Sequence, residues 1–156
     1  MEYIIREMRA DEYHLLDEFL YEAIYQRGED DLLPREIIKE PSLKVYIENW
    51  GKKHDYCLLA ESDGSVVGAV WVRIIDGFGH IDNTVPEFAI SLYKEYRGFG
   101  IGTELMSHML RLLKRKGYKK TSLAVQKDNY AIKLYQKVGF SIIDENEQEF
   151  IMVCDL

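Results

Sequence analysis

The run Tyr96-Arg97-Gly98-Phe99-Gly100-Ile101-Gly102-Thr103 has the residue types and spacing of an anion site. It follows a strand-like stretch and opens an amphipathic helix. Glycines at alternate positions remove the side chains that would keep a ligand off the backbone. The first-turn amides of the helix then point outward without intrahelical partners, and the helix dipole adds attraction for phosphate. Two familiar phosphate loops do not fit. A dinucleotide fingerprint needs Gly-x-Gly-x-x-Gly, but Thr103 or Leu105 occupies its last position. A P-loop needs Gly-Lys followed by Ser or Thr, which occurs nowhere in the chain.

The order Arg97-x-x-Gly100-x-Gly102 resembles the pyrophosphate-binding motif of the GNAT N-acetyltransferase superfamily, whose ligand is acetyl-coenzyme A. A second stretch, Asp128 to Phe140, is similar to that superfamily's Asn-x-x-Ala-x-x-Leu-Tyr-x-x-x-Gly-Phe signature. Ala131, Leu134, Tyr135, Gly139 and Phe140 fall in register. The asparagine position holds Asp128, and Asn129 stands one residue nearer the tyrosine. Either residue is a good helix cap, so which of the two meets a cofactor stays open.

The resemblance implies an acetyl-coenzyme A dependent N-acetyltransferase acting on a primary amine, small-molecule or peptidic, by direct attack. It implies amides of Gly98, Phe99, Gly100, Ile101, Gly102 and Thr103 on the diphosphate, with Arg97 beside them and Asn129 as a further contact. Backbone groups of Ile90, Ser91 and Leu92 would pair with the pantetheine arm. Tyr135 would donate to the leaving sulfur, since a phenol is protonated at neutral pH. Glu87 is the candidate base. Strand alternation sets it on a face with small Ala89 and Ser91, which leaves room for ligand, and glutamate is unusual in a strand. The rival reading from another class is an acyl-coenzyme A sensor or regulatory module without turnover.

The elements that position these residues follow from periodicity. Strands are expected at Glu2–Met8, Tyr56–Glu61, Val66–Ile75, Glu87–Tyr93, Thr121–Val125, Phe140–Ile143 and Glu149–Cys154. Asp63-Gly64 marks a hairpin. Helices are expected from Ala10 to Gln26 (ended by Gly28), from Pro34 with a break at Pro41, over Leu43–Trp50, from the glycine run to about Lys116, and over Asn129–Val138. The stretch from Glu87 through the helix to Thr121 has the length of a βαβ crossover, so those two strands should be parallel. This is an α/β chain. By resemblance it takes the GNAT (acyl-CoA N-acyltransferase) fold, a mixed central sheet with helices on both faces, in one domain over residues 1–156.

Composition narrows the partners. The chain has 156 residues, 47% apolar and 30% charged, with net charge −7. That charge disfavours nucleic acid. No apolar run reaches the length of a membrane span, and the N-terminal residues lack a signal-peptide pattern, so a cytoplasmic location without membrane partners is expected. Cys57 and Cys154 lie in apolar stretches and read as buried thiols. The four histidines lack metal-ligand spacing, so no metal is expected. Ten acids but three Lys or Arg lie between Asp11 and Glu40. They read as solvated helix faces or as an attractant for a cationic amine. Tyr21, Tyr25 and Tyr46 fall on the early helices, where the family usually shapes its acceptor pocket. The family often forms dimers, which makes a homodimer the corresponding expectation.

Overall fold

A computed structural model describes residues 1–24 and 33–156. Seven strands form one sheet: β1 Ile4–Glu7, β2 Tyr56–Ser62, β3 Ser65–Arg73, β4 Glu87–Leu92, β5 Lys120–Gln126, β6 Phe140–Glu145 and β7 Glu149–Asp155. Their order is β1-β2-β3-β4-β5-β7-β6. Every pair is antiparallel except β4 and β5. The expected crossover therefore holds, with α3 (Ile101–Arg115) joining the parallel pair. Asp63 and Gly64 take positive φ, 52° and 77°, the turn that matches the twist of a two-residue hairpin between β2 and β3.

Helices cover both faces. On one, α3 buries Ile101, Leu105, Met106, Met109, Leu112 and Leu113 against Phe88, Leu123 and Met152. On the other, α1 (Leu15–Ala23) buries Leu16, Phe19 and Leu20 at helical spacing against Leu59, Ala69 and Trp71. Alternation in β4 sends Phe88 to the first core and Ala89 to the second. Both cysteines are buried free thiols.

The early helices are shorter than their periodicity suggests. Residues 10–12 form a separate 3-10 turn before α1. The Glu12 carboxylate accepts the Arg9 amide at 2.9 Å and both terminal nitrogens of Arg6 at 2.8 Å, which ties that turn to β1 instead of extending the helix. The expected end of this helix, with Tyr25, Gln26 and Gly28, lies outside the described residues. The helix expected from Pro34 is a 3-10 turn over Arg35–Lys39, followed by the single turn α2 (Pro41–Lys44). Proline disfavours helical backbone in the residue before it. Glu40 is accordingly extended, and Pro41 takes the first helical position. The expected helix from Leu43 to Trp50 persists only to Lys44 and continues as turns.

The Arg6 pairing holds the Glu12 carboxyl far below its ordinary value of 4.5, at about 2. A depressed carboxyl contributes stability above its unfolded value and loses that stability as pH falls through the folded one. Acid denaturation should therefore steepen between about pH 4.5 and pH 2. Glu12→Gln should flatten that limb; a midpoint series with an unchanged acid slope would contradict the assignment.

Candidate active site

Strands β4 and β5 touch at one register pair, Glu87 with Ser122, and then part. Antiparallel pairing explains which groups this opens. The Tyr93 amide donates to Val67 of β3 at 3.0 Å, so by alternation the odd-numbered residues of β4 bond to β3. Phe88, Ile90 and Leu92 therefore turn their main-chain groups toward the gap. Ser91 does not. Its backbone belongs to the ladder with Ala69, and its hydroxyl donates to the Phe19 carbonyl at 2.7 Å. Of the three residues expected to offer backbone to a pantetheine arm, Ile90 and Leu92 face the right edge, and the Leu92 carbonyl already accepts Arg97 Nε at 3.1 Å.

A cavity of about 330 Å³ lies at this opening. Its walls include Ala89 and Ile90 of β4, residues 123–126 of β5, Asn129 and Tyr135, and, from the α1 side, Leu20, Leu43, Tyr46 and Phe78. Gln148 and Glu149 complete it from the start of β7.

The glycine run is built as its residue types require. Gly98 and Gly100 take φ of 87° and 86°, and Gly100 caps α3 in the left-handed conformation. An added Cβ would meet nothing within 4 Å at either position, so the loop stands open. The first backbone bond of α3 is Glu104 to Gly100 at 3.1 Å. Among the described residues, no group accepts from the amides of residues 98 to 103. Six consecutive donors at a helix N-terminus make a nest for an anion. Arg97 is occupied beside it: besides Leu92, it lies 3.8 Å from the Glu22 carboxylate.

Tyr135 sits on α4 (Ile132–Val138), its ring packed edge-on to Phe140 at 6.2 Å. Its side chain lines the cavity, and no described residue hydrogen-bonds its hydroxyl. Burial pushes the phenol up to about 12, so it holds its proton through the physiological range. Asn129 also lines the cavity, with its Oδ1 accepting the Ala131 amide at 2.9 Å. That bond caps the chain before α4, which starts three residues later than its periodicity suggests.

Glu87 is placed differently from the expectation of an open face. It is 2% exposed and absent from the cavity wall. One oxygen accepts Tyr46 hydroxyl at 3.0 Å and the Gly79 amide at 2.8 Å; the other accepts the Gly77 amide at 2.8 Å. Burial lifts its pKa, and the two amides oppose that rise. The loop after β3 crosses over this carboxylate, and Gly79 lies so close to β5 that a Cβ would stand 2.9 Å from the Leu123 carbonyl carbon. The room expected beside Ala89 and Ser91 is thus partly filled: α1 holds Ser91, and this loop covers Glu87. Only Ala89 of the three reaches the cavity.

Tyr46, Phe78, Gln148 and Glu149 join the site from segments distant in sequence. Phe78 stacks on Tyr46 with ring centroids 6.3 Å apart, and its amide donates to the Tyr46 oxygen at 2.9 Å. Of the acids between Asp11 and Glu40, none of the described ones lines the cavity. Glu12 is paired with Arg6 and Glu18 with Arg35. Among the described residues no helix is long and apolar enough to cross a membrane.

The site thus combines a mixed sheet with one parted parallel pair, an amide nest after β4 and a tyrosine in the cavity wall. The chain belongs to the Acetyltransferase (GNAT) family, whose profile matches residues 10–140. It is 37% identical over 76 residues to the Bacillus subtilis uncharacterized N-acetyltransferase YobR, covering 48% of this chain and 28% of that protein. It is 34% identical over 92 residues to the mycothiol acetyltransferase of Corynebacterium aurimucosum, covering 56% and 28%. The chain thus spans about a quarter of the length of these two curated relatives. The crystal structure of PaiA N-acetyltransferase from Thermoplasma acidophilum, in complex with coenzyme A, superposes with a TM-score of 0.73 at 23% identity, covering all of both chains.

Proposed function

We propose that the protein is an acetyl-coenzyme A dependent N-acetyltransferase that acetylates a primary amine. The observation that carries this reading is the row of six amides at residues 98 to 103 without an acceptor among the described residues, at the start of the helix that follows β4, together with a cavity between the parted strands. The coenzyme's diphosphate suits the nest. The exposed backbone of Ile90 is suited to pair with the pantetheine arm, leading the thioester into the cavity. The family and the relatives' names support the same chemistry.

The amine nitrogen attacks the thioester carbonyl carbon, and the C–S bond breaks as the tetrahedral intermediate collapses. The Tyr135 hydroxyl, protonated and without a partner among the described residues, donates to the departing sulfur. A reference thiol has a pKa of about 8.5, so the thiolate leaves readily and the donor gives modest help. Glu87 serves from behind the wall, holding Tyr46 and the loop amides in place.

Tyr135→Phe should lower kcat roughly tenfold to a hundredfold, the low end of what a positioned acid contributes, with the coenzyme A dissociation constant unchanged within about twofold. Thiol release with an amine panel gives kcat, and calorimetry gives binding. Thioester consumption by the wild type with any amine separates this reading from a sensor without turnover. Unaltered kcat in Tyr135→Phe would remove the tyrosine from the reaction.

A further inference from the structure

Glu149 is the one carboxylate in the cavity wall among the described residues. It opens β7 opposite Gln126 at the end of β5, on the far side of the gap from Ile90. Its backbone is fixed by the preceding turn: Asn146 Oδ1 accepts the Gln148 amide at 3.0 Å and the Glu149 amide at 2.8 Å, and the Asn146 amide donates back to the Glu149 carbonyl at 3.0 Å. No cation among the described residues pairs with this carboxylate; the nearby Lys127 is engaged with Glu145 instead. The α1 side of the wall is largely apolar, with Leu20, Ala23, Leu43 and the Tyr46–Phe78 stack, while the amides Gln126 and Gln148 lie beside Glu149. Half-burying an unpaired carboxylate in such surroundings is unfavourable unless a cation joins it.

We propose that Glu149 receives the acceptor as its ammonium ion and takes the proton that frees the nucleophile, and that the acceptor is a primary amine with one cationic head on an apolar body. This rests on the acetyltransferase reading and names its substrate class. Glu87 is absent from the cavity wall, and its two oxygens already accept three donors, so Glu149 is the carboxylate an acceptor there would meet directly. Burial lifts the Glu149 pKa, with the Asn146 side chain working against the rise. A higher carboxyl pKa narrows the gap to an alkylamine near 10.4 (about the lysine value) and so eases the transfer. The nitrogen sheds two protons. The first passes from the ammonium to Glu149 and then to solvent. The second leaves as the C–S bond breaks and balances the proton that Tyr135 gives to sulfur. One carboxylate neutralises one charge, so a polyamine would carry further ammonium groups into an apolar pocket at a cost.

The test compares two acceptors, 2-phenylethylamine, cationic at neutral pH, and aniline, which is already neutral there. Glu149→Gln should lower kcat/KM for 2-phenylethylamine by about 10²-fold or more, while aniline changes less than about threefold. Wild-type protein should prefer 2-phenylethylamine to spermidine by at least about tenfold in kcat/KM, a comparison that needs no variant. Equal losses on both acceptors, no loss on either, or a preference for spermidine would each overturn the assignment while leaving acetyl transfer intact. Wild-type protein that acetylates no amine would instead remove the acetyltransferase reading, and this inference with it.

Discussion

Gly100→Ala is expected to weaken coenzyme A binding roughly 10²- to 10³-fold, at about 1.4 kcal/mol per tenfold. Gly100 has φ of 86° and caps α3. An alanine held there costs about 1–2 kcal/mol of backbone strain. The added methyl meets no atom of the described residues within 4 Å, so packing against them contributes nothing to the loss. The loop relieves the strain by rotating amides of residues 100 to 102, which spoils their common aim. Each hydrogen bond from such an amide to a charged oxygen is worth about 1.5–3 kcal/mol, and losing one or two accounts for the effect. Thermal unfolding should shift only modestly. A variant that binds coenzyme A as wild type, or that unfolds outright, would contradict this account.

Asp55→Ala should destabilise the protein by about 3–5 kcal/mol, the usual cost of stranding a buried charge. Arg73 and Asp55 are each 3% exposed at the side chain and meet through two bonds, at 2.8 and 3.1 Å. Arg73 also donates to the carbonyls of Val45 and Glu48, at 3.0 and 2.8 Å. Asp55 accepts the amides of Gly51 and Lys52. The pair therefore pins the turns after α2, which carry Tyr46 into the cavity wall. Without the carboxylate, Arg73 stays buried and uncompensated. Replacing both partners, Asp55→Ala with Arg73→Met, should recover part of the loss, because neither charge of the pair is then left stranded. Denaturant melts of the three variants measure this. A single-variant loss below about 1 kcal/mol would show the pair to be dispensable.

Much of the scaffold is legible in the chain because it is written locally. The alternation in β2 to β5, the Asp63-Gly64 hairpin and the βαβ spacing around α3 each depend on residues close in sequence. The glycine run is equally local, since positive φ at Gly98 and Gly100 and free first-turn amides follow from residue type alone. Glu87 shows where such reading stops. Its strand and its face are correctly legible, but the loop carrying Gly77 and Gly79 folds over it from ten residues upstream, and Tyr46 arrives from another element. The sequence carries no period that announces those contacts. Glu149 is illegible for a related reason. It enters the cavity because β7 pairs between β5 and β6, out of chain order, and only that register sets it beside Gln126. The short early helices reflect a conflict between levels: apolar spacing favours helix through residues 34 to 50, while Pro41 and the Arg73–Asp55 anchor impose turns.

Acetyl-coenzyme A use depends most on the amide nest taking a diphosphate. Titration calorimetry of the wild-type protein with coenzyme A and with pantetheine, which lacks the diphosphate and nucleotide, tests it directly. Coenzyme A should bind at least about a hundredfold tighter than pantetheine, and Gly100→Ala should erase most of that difference. Equal affinity for the two ligands, or no heat with coenzyme A from folded protein, would contradict it.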